Sequence, residues 1–116
     1  MNRLFLSIAL AAVLVPVVAC GKKSGGSAFE KGDPGGCDSI TDISMCSDHS
    51  ADTAGTGKAL CTGKWVATGC PKTNLVGSCS RNNGGIIERY YSTGEMPSTA
   101  AKAKSSCSDT GGTFVP

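Results

Sequence analysis

LVGSCSRNNGGIIERYYS, residues 75–92, contains two strand-forming runs around one turn. LVGSCSR at 75–81 reads as a strand. Asn82-Asn83-Gly84-Gly85 reads as a hairpin turn, because Asn and Gly tolerate positive φ. IIERYYS at 86–92 is then the return strand. Upstream, KWVAT at 64–68 reads as a strand, with Cys70-Pro71 turning the chain behind it. Residues 53–62 read as a short helix capped by Asp52 or Thr53, weakened by Gly55 and Gly57. CDSITDISMCS at 37–47 reads as one strand, with partial alternation through Ile43 and Met45. Downstream, Met96, Ala100, Ala103 and Cys107 share one helical face, with Pro97 or Ser98 at the start. Gly111-Gly112 stops that helix, and TFVP forms a last short strand. The fold class is α+β: a small disulfide-rich domain with a short antiparallel sheet and two short helices.

The two halves of this region show a weak internal repeat. GGCDSI at 35–40 matches VGSCSR at 76–81, and KALCTGKWV at 58–66 matches KSSCSDTGGTFV at 104–115 with three extra residues. Cys37 then corresponds to Cys79, and Cys61 to Cys107.

Large apolar residues are scarce. The core candidates are Ile40, Ile43, Met45, Leu60, Trp65, Val66, Leu75, Val76, Ile86, Ile87, Tyr90, Tyr91, Met96, Phe114 and Val115. So thin a core leaves a small domain marginal without staples. The chain has seven Cys. Six of them, Cys37, Cys46, Cys61, Cys70, Cys79 and Cys107, lie in the domain, and an even count in a short exported chain reads as a disulfide framework. Six cysteines allow about 15 pairings, among which spacing does not choose. The repeat, if real, suggests Cys37–Cys61 and Cys79–Cys107, leaving Cys46–Cys70. Successive cysteines are separated by 8, 14, 8, 8 and 27 residues, without the close pairs of a zinc site or a Cys-x-x-Cys redox motif. No metal site and no cofactor is expected.

The seventh cysteine, Cys20, has a different setting. Met1-Asn2-Arg3 is a short positive start, and Leu4 to Val18 is an uncharged apolar run followed by the small residue Ala19. This is the layout of a secretory signal peptide, too short for a membrane span and interrupted by Pro16. Val17-Val18-Ala19-Cys20 resembles the lipobox of bacterial lipoprotein precursors, with Val where Leu is commonest. The resemblance implies a diacylglyceryl group on the Cys20 thiol, cleavage between Ala19 and Cys20, and acylation of the new amino group. Several acyl chains anchor a protein stably where one does not. Gly21 stands where Asp would favour the inner membrane, so the resemblance implies the outer membrane, on its periplasmic or surface face. Residues 1–19 are thus read as the signal peptide. Residues 20–36 are the lipidated Cys20 and a flexible tether with six Gly and three Lys, and 37–116 are the domain. The domain also resembles small cysteine-rich bacterial lipoproteins, a likeness that implies no activity.

Other chemistry reads weakly. GTGKA at 55–59 lacks the first Gly and the Ser or Thr of a phosphate-binding loop. Asp38, Asp42, Asp48 and Asp52 lack the glycine-containing loop of a calcium site. His49, between Asp48 and Ser50, is the only residue on which a small hydrolase could be built, without a nucleophile-elbow pattern around it. The chain has 11 Lys and Arg against 9 Asp and Glu, and removing Arg3 leaves 10 against 9. That balance, with no basic stripe, gives no reason to expect nucleic acid as a partner. Tyr90 and Tyr91 are a candidate binding patch. The expectation is a lipid-anchored envelope protein with a structural or binding role rather than a catalytic one. Its partners are the membrane, through Cys20, and an envelope protein. The alternatives are a protein-binding module such as an enzyme inhibitor, and the hydrolase on His49.

Overall fold

The computed structural model describes residues 31–116. The signal-peptide reading, Cys20 and the first part of the tether lie outside the described residues.

Six strands form one antiparallel sheet: β1 (Gly35–Ser39), β2 (Met45–His49), β3 (Lys64–Val66), β4 (Leu75–Arg81), β5 (Ile86–Tyr91) and β6 (Thr113–Val115). A helical turn α1 (Ile40–Ile43) and two ten-residue helices, α2 (Ala51–Leu60) and α3 (Ala100–Asp109), complete the α+β domain. The strand order is β3-β1-β2-β5-β4-β6. Read outward from the centre, β2-β1-β3 and β5-β4-β6 are one three-stranded unit used twice, with its helix between the second and third strands in sequence.

The register places the repeat residue by residue. Ser47 pairs with Glu88 at the centre of β2–β5. Cys37 faces Ser47 and Trp65 in one unit, and Cys79 faces Glu88 and Phe114 in the other. Gly35 pairs with His49 as Gly77 pairs with Tyr90. Each glycine lies beneath the aromatic of its edge strand. A Cβ on Gly35 would come within 2.8 Å of the Trp65 ring, and one on Gly77 within 2.5 Å of the Phe114 ring. The first strand begins at Gly35, two residues before Cys37, with Gly35 and Gly36 already buried, and the Gly32 N–H donates to the Ala51 carbonyl at 2.8 Å.

Residues 37–47 are not one strand. Asp38 Oδ1 accepts the backbone N–H of Ile40 at 3.0 Å, an Asx turn that ends β1. Ser44, at φ 57°, ψ 33°, then releases the chain into β2. The loop at 82–85 turns as its sequence requires, with positive φ at Asn82, Asn83 and Gly84. Helix α2 starts two residues before the expected position, after Ser50 rather than Asp52 or Thr53. Thr99, not Ser98, caps α3, its side chain accepting the Lys102 N–H at 3.3 Å.

Three disulfides staple the sheet: Cys37–Cys61, Cys46–Cys70 and Cys79–Cys107. These are the pairs the repeat suggests. The first and third tie a helix end to the middle strand of each unit. Cys46 pairs laterally with Asp38, so it projects from the other side of the sheet, because neighbours along a strand alternate faces.

The core is built from sulfur and tyrosine more than from aliphatic side chains. Tyr90, Ala103 and the Cys79–Cys107 bridge form one buried cluster against Met45, Val76 and Phe114. Tyr91 and the Cys46–Cys70 bridge form a second, on the opposite face, against Ile40 and Leu75. Of the core candidates, Ile43, Leu60, Met96 and Val115 are exposed. Met96 precedes α3 and adds nothing to its buried stripe, which is Ala103 and Cys107.

Candidate functional site

The helix face of the sheet differs between the two units at equivalent positions. In the second unit Tyr90 packs on Ala103, and its hydroxyl donates to Glu88 Oε2 at 3.2 Å. Glu88 is held in turn by Arg81 at 2.7 Å. Burial, foremost, raises the Tyr90 pKa above the ordinary value.

In the first unit the place of Tyr90 belongs to His49, and that of Ala103 to Gly57. Gly57 and Ala103 each stand four residues before the disulfide cysteine of their helix. The His49 ring lies beneath Gly57, where a Cβ would come within 2.5 Å of it, and beside Trp65 at 5.8 Å between ring centroids. His49 Nδ1 is buried without a hydrogen-bond partner. Burial, only partly countered by Asp48, lowers the His49 pKa below 6.5 and favours the neutral ring. The imidazole is shorter than a phenol and turns toward the edge strand. A cleft of about 210 Å³ remains beside α2, walled by Thr56 and Leu60, floored by Ser47 and Ile86, and backed by the Cys37–Cys61 bridge. Leu60, 74% exposed, forms its rim.

No protein-family model, no curated protein and no solved structure matches this chain.

The structure distributes the sequence-predicted residues as follows. All six domain cysteines are in disulfides. Tyr90 and Tyr91 do not form a surface patch: they are 5% and 0% exposed, on opposite faces of the sheet, where their rings serve as core. Asp48 does not orient His49. It projects from the other face, where its carboxylate accepts Arg89 Nε and the Cys70 N–H, each at 2.6 Å. Asp38 closes its Asx turn, and Asp52 pairs with Lys31 at 3.5 Å. Among the described residues no group of three or more His, Cys, Asp or Glu is placed to hold a metal ion. GTGKA lies within α2, not in a phosphate-binding loop. The cleft residues Ser47, Leu60 and Ile86 were not singled out as a site, because no motif links them. The available signal was the repeat itself, which sets small Gly57 against Ala103 and short His49 against Tyr90.

Proposed function

We propose that this chain is a lipid-anchored protein of a bacterial envelope, whose stapled domain binds another molecule rather than catalysing a reaction. Three disulfides form and persist in an oxidising, extracytoplasmic compartment. No described helix is long and apolar enough to cross a membrane. The observation that carries the reading is the division of the cysteines. Six are consumed in bridges, and the seventh, Cys20, follows an apolar run in a lipobox-like setting. Acyl chains on Cys20 would hold the domain at the membrane, with the glycine-rich tether as spacer, and Gly21 favours the outer membrane. The open cleft beside α2 favours a binding module over a purely structural part, since a rigid stapled surface loses little entropy on association.

The test is intact mass of membrane-extracted protein, with thiol alkylation under non-reducing conditions. The expected product is residues 20–116 plus acyl groups, with no reactive thiol. An unlipidated mass would overturn the anchor.

A further inference from the structure

The two units of the sheet act as controls for each other, and one contains what the other lacks. In the second unit the Tyr90 phenol reaches from its strand to Glu88, in the neighbourhood of Ser106 on α3. By register and by distance from the helix cysteine, the equivalents of Glu88 and Ser106 are Ser47 and Leu60. Those two residues bound the cleft of the first unit. The equivalent of Met45, which packs against Tyr90, is Ile86, which also lines it. The open space in the first unit thus corresponds to the place of a tyrosine ring in the second.

From this we infer that the cleft is a receptor slot for one aromatic side chain, tyrosine by preference, presented by a partner polypeptide. The volume agrees: about 210 Å³ exceeds the roughly 150 Å³ that accommodates benzene in an engineered apolar cavity. The chemistry agrees as well. Ile86, Leu60 and the Cys37–Cys61 bridge offer apolar contact, and Ser47 stands where Glu88 receives the Tyr90 hydroxyl. Leu60 argues for a ring carried on a chain. It is 74% exposed at the rim, where the second unit has Ser106, and a free phenol inside the slot would leave it uncovered. This inference rests on the binding-module reading but not on the lipid anchor, which the mass measurement tests separately.

The experiment titrates N-acetyl-tyrosinamide into the isotopically labelled, oxidised full chain and follows the amide and methyl resonances. Saturable shifts confined to Ser47, Thr56, Leu60 and Ile86, with a Kd on the order of 1 mM, are expected for a single ring. N-acetyl-glycinamide should give none. His49→Tyr supplies the missing ring from within and should weaken the titration at least tenfold. Leu60→Ser, an exposed change at the rim that spares the core, should weaken binding of a capped pentapeptide with a central tyrosine roughly fivefold and change that of the amide much less. A capped pentapeptide with a central tyrosine should bind more tightly than the amide, since it also covers the rim. Unsaturable or scattered shifts would overturn the slot, as would a folded His49→Tyr protein that binds like the parent. Equal affinity of peptide and amide would overturn the polypeptide source.

Discussion

Removing the disulfides one at a time should separate chain entropy from packing. Cys37–Cys61 and Cys79–Cys107 span 24 and 28 residues of separation. Loop-closure entropy alone then assigns each about 3.5 kcal/mol. The first loop overlaps that of Cys46–Cys70, whose bridge shortens the path from Cys37 to Cys61 and trims its contribution to about 3 kcal/mol. Packing acts in the opposite direction on the other bridge. Cys79 and Cys107 are both 0% exposed, within the Tyr90–Ala103 cluster, and truncating them leaves a cavity costing ~1–2 kcal/mol more. Cys37→Ser/Cys61→Ser should therefore cost about 3 kcal/mol and Cys79→Ala/Cys107→Ala about 5 kcal/mol. For a domain this small the milder pair lowers Tm by roughly 12–24 °C, and the severer one approaches the whole stability. Urea unfolding followed by fluorescence of Trp65, the only tryptophan, measures both. Equal losses, or a larger loss for the Cys37–Cys61 pair, would refute the assignment of sulfur to the core.

Other consequences follow from single contacts. Asp48→Ala strips Arg89 and the Cys70 N–H of their acceptor at a largely buried site, and should cost about 2–3 kcal/mol. Adding Arg89→Met should recover part of this in a double-mutant cycle by calorimetry. Gly35→Ala and Gly77→Ala each drive a methyl into an edge-strand aromatic, and each should cost ~1–3 kcal/mol, with the Trp65 emission shifted only in the first. Burial pushes the Tyr91 pKa up to about 12, while its hydroxyl donates to the Pro71 carbonyl at 2.6 Å. The folded state thus holds a proton that the unfolded state releases near pH 10, so this stability is complete below pH 10 and lost as pH rises toward 12. Tyr91→Phe should flatten alkaline unfolding curves in that window. His49 has the opposite sign: its lowered pKa makes the unfolded state the better proton acceptor, so stability falls as pH drops below 6.5, and His49→Gln should remove that slope.

Local chemistry was legible wherever a residue type enforces a backbone shape. The 75–92 hairpin shows through Asn82, Asn83 and Gly84, and α3 through the spacing of Ala103 and Cys107. The second hairpin, at 37–47, was hidden because its turn depends on one Asp38 carboxylate and on Ser44 in a left-handed conformation, neither of which interrupts the apolar alternation. Tyr90 and Tyr91 stood both as core candidates and as a candidate patch for a similar reason: composition cannot tell a recognition tyrosine from one whose ring is closed over by a disulfide.

By itself the sequence determined the α+β class, the even cysteine set and, through a faint repeat, the equivalence of Cys37 with Cys79 and of Cys61 with Cys107. These depend on residue identity and order along the chain. Only the tertiary structure decided that the two units meet at Ser47–Glu88, and that one keeps its aromatic ring while the other leaves a cleft. That difference depends on which side chains share a face across strands and helices far apart in sequence. There a shorter ring at His49 and a missing methyl at Gly57 act on the same volume.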